Sequence, residues 1–268
     1  MTFRLAAIVC ALALPLAACG DDDDESSAPE PVSVDGKEYA FVMPDQIDGG
    51  LVTMNFTNSG AELHEYGLGR LDEGVSEADV DKAIASGKEP KGIQDIGGVP
   101  VLTPGTDVSI TRDLEPGRYV FVCFLPDPKG RPHVALGMKN VFEVVGDSDA
   151  EPPDVDGVIE AKQKSFEIPP IEAGERTLEL RNSASEPREF GLTGLKPGRT
   201  IQEATQFFAP LEKGRGFKVP ADAPVELLGA MQSIPAGTSV YFTAEFKQGW
   251  RYRIADEENG LEQIFKVE

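Results

Sequence analysis

The chain is short of cysteine, histidine and tryptophan: among 268 residues there are three Cys, two His and one Trp. So few sulfurs exclude a small disulfide scaffold, and so few Cys and His exclude a zinc-ribbon or finger array. Basic residues are also scarce, 25 Lys and Arg against 46 Asp and Glu, for a net charge of −21. That balance argues against a nucleic-acid backbone or an anionic lipid surface as a direct partner. The apolar run Leu5–Ala18 falls short of the roughly 20 residues that a spanning helix needs. What the chain does have is 28 Gly and 21 Pro, scattered among brief runs rich in Val, Ile, Phe, Thr and Tyr. Such punctuation predicts a mostly β protein of many short strands, and the length suggests two domains.

Arg4 followed by the run Leu5–Ala18 reads as a signal peptide over residues 1–18. Its end, Leu16-Ala17-Ala18-Cys19-Gly20, resembles the lipobox of bacterial lipoproteins. That resemblance implies cleavage before Cys19, lipidation of its thiol and an exported protein on the outer face of the cytoplasmic membrane. An ordinary secretory signal is the alternative. Residues 19–35, with Asp21 to Glu25 followed by Ser and Pro, are too polar to pack and read as an acidic tether.

With Cys10 lost in the signal and Cys19 consumed by lipid, Cys123 is the one thiol left, and no intrachain disulfide can form. A lone thiol in an oxidising compartment is buried, metal-bound or reactive. Cys123 is followed by His133 and Met138, and His64 lies upstream. One thiolate, two imidazoles and a thioether form a donor set suited to copper, whereas a Met ligand speaks against zinc. The competing reading is a buried apolar Cys on a core strand, Tyr119 to Phe124. A Cys–His nucleophile is a further possibility, but no oxyanion-hole or substrate-positioning motif accompanies it, so no enzyme is expected.

A repeat runs through the folded region. Leu51-Val-Thr-Met-Asn-Phe-Thr-Asn-Ser-Gly-Ala-Glu-Leu-His64 and the strand after it match the segment Arg176 to Leu195, and Pro104 to Cys123 matches Ala236 to Ala255. The units are residues 36–146 and 157–268, joined by a Gly-, Asp- and Pro-rich linker at 147–156. Each carries a short helical insertion. Ser76 caps one that runs through Ser86, with Val80, Ala83 and Ile84 inward; Thr200 caps another through Phe208, with Ile201, Ala204, Thr205 and Phe208 on one face. Both are expected to cover an open edge or end of a sandwich.

In this alignment His64 matches Arg188, Cys123 matches Ala255, and the segment holding His133 and Met138 shrinks away, so all four candidates vanish together from the second copy. Joint loss suggests that they serve one site, although loops also diverge readily on their own.

Asn58-Ser-Gly-Ala-Glu-Leu-His64, Cys123 and His133-Val-Ala-Leu-Gly-Met138 resemble the ligand motifs of the cupredoxins, the plastocyanin and azurin family. The resemblance implies two Greek-key cupredoxin-like β-sandwiches in tandem. It implies one copper in the first, with His64, Cys123 and His133 as equatorial ligands and Met138 as the weak axial one, and a second copy without metal. The sequence departs from the family in a longer stretch between Cys123 and His133, and in Glu65 where many members have Asn. Electron transfer or copper carriage, with a redox or copper-exchange protein as partner, is the function implied. The alternative is a metal-free two-domain module that binds a protein.

Overall fold

A computed structural model describes residues 31–86 and 91–267. Cys10 and Cys19, and with them the signal peptide and lipidation site, lie outside the described residues.

Among the described residues the first half contains nine strands: β1 (Val32–Lys37), β2 (Ala40–Val42), β3 (Gln46–Asp48), β4 (Gly50–Asn58), β5 (His64–Leu71), β6 (Ile93–Leu102), β7 (Asp107–Leu114), β8 (Gly117–Val122) and β9 (Lys139–Val145). Helix α1 (Glu77–Ser86) sits between β5 and β6. The second half repeats the order as β10 (Gly157–Ala161), β11 (Phe166–Glu167), β12 (Gly174–Asn182), β13 (Arg188–Leu195), α2 (Ile201–Glu212), β14 (Val225–Ile234), β15 (Ser239–Phe246), β16 (Arg251–Asp256) and β17 (Leu261–Lys266).

The period-2 pattern that makes these runs strands also sorts their side chains. In β4, Val52, Met54, Phe56 and Asn58 are buried while Leu51, Thr53, Asn55 and Thr57 are only partly covered. The inward residues fill the space between two sheets. Tyr66 and Phe121 approach to 4.4 Å between ring centroids, Phe56 and Tyr66 to 5.0 Å in an edge-on contact, and Phe121 and Phe142 to 5.0 Å. Aromatic pairs in these arrangements add about 0.5–1.5 kcal/mol beyond their burial.

The two halves are not separate sandwiches side by side, because both sheets run through them. One has eight strands in the order β11-β10-β12-β15-β7-β4-β1-β2, the other nine in the order β17-β16-β13-β14-β6-β5-β8-β9-β3. The seams are antiparallel. Ile110 of β7 faces Phe242 of β15, its own counterpart in the repeat, and Ser109 and Thr111 face Thr243 and Tyr241. On the other sheet, β6 and β14 pair through Leu102 with Leu228 and Gly98 with Gln232. The halves therefore meet about a local two-fold relation.

Three expectations are corrected. The tether, expected through Asp35, ends earlier, since Val32–Lys37 forms β1 and pairs in parallel with β4. Its Val34 is fully buried, which a solvated spacer could not accommodate. The helices do not close an edge or end but lie on the outer face of the nine-stranded sheet. Val80 of α1 packs on Leu71 and Val120, and Phe207 of α2 on Ala223 and Val225. Phe207, not Ile201, is the buried anchor of α2, and Ile201 is exposed. Thr200 does cap α2, in a reciprocal capping box with Glu203. The third correction is one of register. Gly67 pairs with Val122 and its counterpart Gly191 with Ala255, so the residue equivalent to Cys123 is Asp256 rather than Ala255. The hairpin before β16 is one residue longer than that before β8, and a one-residue shift turns every side chain to the opposite face.

Candidate metal centre

The candidate ligands gather at one end of the antiparallel strands β5, β8 and β9. His64 opens β5, Cys123 follows the last residue of β8, His133 begins a 3-10 turn at His133–Leu136, and Met138 directly precedes β9. His64, Cys123, His133 and Met138 are all buried. The ligating atoms of His64, Cys123 and His133 lie within 4.8 Å of one another. Cys123 Sγ stands 3.4 Å from His133 Nδ1, and the two imidazole rings are 5.1 Å apart, inclined at 64°. Met138 is bracketed by its backbone: its N–H donates to His133 O at 3.0 Å and its carbonyl accepts from Cys123 N at 3.2 Å.

The loop from Cys123 to His133 is held by hydrogen bonds that replace the shortness it lacks. Val134 N donates to Cys123 O and His133 N to Leu125 O, both at 2.8 Å. Buried Asp127 organises the tip. Its Oδ1 accepts from the N–H groups of Lys129 and Arg131 at 2.8 Å, and its Oδ2 accepts from Arg131 Nε and Nη2 at 2.8 and 2.6 Å. Hydrogen bonds to the ionised carboxylate hold the Asp127 pKa below its usual value, against the opposing effect of burial.

Other residues orient the donors. His133 Nε2–H donates to Glu62 Oε2 at 3.1 Å, which leaves Nδ1 facing Cys123. A carboxylate on the far nitrogen of a ligating imidazole fixes its tautomer and raises its basicity. Tyr39 lies against His133, 4.9 Å between centroids. Asn58 Nδ2 donates to Glu62 O and Leu102 O, both at 2.9 Å, tying the turn before His64 to the end of β6. Glu65 Oε1 accepts from Phe124 N at 3.0 Å and so joins the His64 strand to the Cys123 loop. The sequence gives no sign of the roles of Asp127 and Tyr39, and it marks Asn58 and Glu62 only as members of the motif that ends at His64.

Burial dominates the electrostatics. It lowers the pKa of His64 to about 4, with His133 adding to the effect. His133 is also lowered by burial, although Glu62 opposes the shift. The Cys123 thiol is pushed up to about 12 by burial and the nearby Glu65 carboxylate, and burial raises Glu65 itself to about 7. The cluster is thus two neutral imidazoles and a protonated thiol.

Copper fits this set on two observations. Both ring nitrogens of His64 are buried with no hydrogen-bond partner, and the nearest carboxylate oxygen, on Glu38, is 3.8 Å from Nε2. An unmade hydrogen bond at such a site costs roughly 1–3 kcal/mol, which a metal bond would relieve. The donors themselves, imidazole and thiolate sulfur, suit copper.

The second half keeps the frame and changes the corner. Asn182 Nδ2 donates to Glu186 O and Ile234 O at 2.8 and 2.9 Å, repeating the Asn58 clamp. At the positions of His64 and Cys123 stand Arg188 and Asp256, both buried, with Nη1 and Oδ2 3.4 Å apart.

No family model and no curated protein matches the chain. Solved structures similar to it include an auracyanin from the photosynthetic bacterium Roseiflexus castenholzii, at 26% identity over 44% of this chain and 99% of the other, TM-score 0.31. A second is auracyanin A, a blue copper protein of the green thermophilic bacterium Chloroflexus aurantiacus, at 21% identity over 45% and 100%, TM-score 0.31. A third is a multicopper oxidase, at 16% identity over 90% of this chain and 88% of the other, TM-score 0.25. Against the expectation of no enzyme, an enzyme stands among the similar structures. The mostly β class and the repeated order of elements expected from the sequence are those of this chain, with the two halves sharing both sheets.

Proposed function

We propose that the first half binds one copper ion through His64, Cys123, His133 and Met138, and that the protein serves electron transfer or copper carriage. The observation that carries this reading is the convergence of two His and one Cys donor within 4.8 Å, with both nitrogens of His64 unpartnered. Copper would supply a one-electron couple held by donors that accept both of its oxidation states. The chain's own part is to keep the donors in place. Asn58, Asp127 and Glu65 fix the loops, Glu62 orients His133, and the closed surroundings limit rearrangement.

Metal binding must also displace the proton of Cys123, whose pKa near 12 keeps the thiol intact at neutral pH. Uptake should therefore release a proton and weaken as the pH falls. We place the protein on the outer face of the cytoplasmic membrane, anchored through lipid on Cys19, with a redox or copper-exchange protein as its partner.

The test is to add Cu(II) to the chain from Gly20 onward and record visible absorption and spin resonance. An intense sulfur-to-copper charge-transfer band is expected, and Cys123→Ser should abolish it. A colourless protein with no spin signal beyond that of free Cu(II) would sink the proposal. Reversible redox cycling with retention of the metal would then identify a shuttle, and ready loss of copper to a Cu(I) chelator a carrier.

A further inference from the structure

The metal-free half reaches over the candidate copper site. After α2, the segment 213–218 runs beside the Cys123–His133 loop: Gly216 N donates to Asp127 O at 3.0 Å, and Lys218 pairs with Glu62 in an isolated antiparallel bridge. The approach is close enough that a Cβ at Gly216 would stand 1.7 Å from Pro126 O, and one at Gly130 3.2 Å from Gly214 O. His133, whose ring meets Glu62, is only 1% exposed. The strap also changes the charge above the site. Lys129 from the loop and Lys213, Arg215 and Lys218 from the strap are exposed around this contact, as is Arg131, whose guanidinium also grips Asp127.

The carboxylates beside them are already engaged. Asp127 is held by Arg131 and two backbone N–H groups, Glu62 by His133, and Glu38 by the N–H groups of Ala61 and Glu62. Among the described residues, Lys129, Lys213, Arg215 and Lys218 have no ion-pair partner. A chain of net charge −21 thus gathers cations at the rim of its candidate site.

We propose that this rim is a docking face, built jointly by both halves, for the acidic surface of a protein partner. Its role in electron exchange rests on the copper reading; its affinity for acidic surfaces does not. Charge complementarity over a Debye length of about 10 Å steers and orients an encounter without demanding a large buried area. A compact acidic patch engages the rim alone, whereas a broad anionic membrane would also meet the acidic remainder of the molecule and be repelled.

The test uses the metal-free chain from Gly20 onward and the paramagnetic trianion hexacyanochromate(III), read by amide line broadening at low salt. Broadening centred on residues 127–131 and 213–218 is expected, lost at high salt and in Lys129→Glu/Lys213→Glu/Arg215→Glu. A milder Lys129→Gln/Lys213→Gln/Arg215→Gln variant keeps the test readable if the reversal disturbs folding, which the remaining amide positions report. Broadening elsewhere, or broadening that survives in both variants, would overturn the proposal. So would capture of the protein on anionic phosphatidylglycerol vesicles through these same residues.

In the copper-loaded chain, ferrocyanide gives one electron to Cu(II), forming Cu(I) and ferricyanide. That rate should fall about tenfold or more in the reversal variant with the visible spectrum unchanged. Failure to form the charge-transfer band would end the copper reading and leave the chromium mapping standing.

Discussion

The corner of the sandwich where β5 and β8 end differs from its counterpart in the second half by a change of solution to one problem. Both corners bury polar side chains at the same two positions beneath the same Asn clamp. In the first half these are His64 and Cys123, with the two nitrogens of His64 unsatisfied. In the second they are Arg188 and Asp256, which pair with each other and recruit neighbours. Arg188 Nη2 donates to Gln163 O and Glu186 Oε1, and Asp256 accepts from Asn259 Nδ2 at 2.9 Å. The scaffold thus tolerates a polar corner in either half: the second satisfies its charged pair internally and leaves Arg188 Nε without a partner, whereas the first leaves both nitrogens of His64 so. A corner left open by its own hydrogen bonds is the better sign of a ligand.

The largest effect should come from breaking the internal solution. Arg188→Ala leaves Asp256 buried beside a void, and removing one partner of a buried pair typically costs about 3–5 kcal/mol. Urea melts of the metal-free protein should show this loss, and a double variant Arg188→Met/Asp256→Leu should recover most of it. A full-sized loss in the double variant would mean that the pair does more than satisfy itself.

The open corner should show itself through pH. Burial holds His64 near pKa 4 against an ordinary 6.5, so between those values the unfolded chain takes up a proton that the folded one refuses. This contribution is complete above pH 6.5 and is lost as the pH falls toward 4, by roughly 3 kcal/mol in all. His133, also lowered, acts in the same sense. Glu65 acts in the opposite sense: with its pKa raised from 4.5 to about 7, its contribution is complete below 4.5 and lost as the pH rises through 7. The informative quantity is therefore the difference in pH dependence between metal-free wild type and His64→Gln, which should be steepest from 4 to 6.5. Parallel curves would mean that His64 is hydrated rather than enclosed.

The smallest change is Glu62→Gln, which keeps the size and removes the charge facing His133. It should weaken copper affinity about 10–100-fold while leaving the charge-transfer band in place. Equal affinity for the two proteins, measured by chelator competition, would reduce Glu62 to a strut.

Much of this was legible in the residues because strand alternation and repeated turns are local patterns. Gly50 to Leu71 and Gly174 to Leu195 match over two strands without a gap, so the repeat and the β class follow from the chain alone. Donor chemistry likewise belongs to residue type, which is why His64, Cys123, His133 and Met138 could be singled out. The residues that hold them are another matter. Asp127 and Glu62 are ordinary acids among 46, and only the fold shows that one grips a loop and the other a ring. The equivalence of Cys123 and Asp256 was hidden by one added residue in a hairpin, and neither copy's edge pattern announced which strand it would meet.

That meeting has a consequence for the integrity of the chain. At the seam Ile110 faces its own counterpart Phe242, the geometry of an isologous contact between two copies, here enclosed within a single polypeptide. Cutting the protein between its halves would lay bare the rims of four strands, β6, β7, β14 and β15, as ready templates for foreign pairing. The covalent link thus protects both halves from such partners, and a lone first half should be the more prone to aggregate.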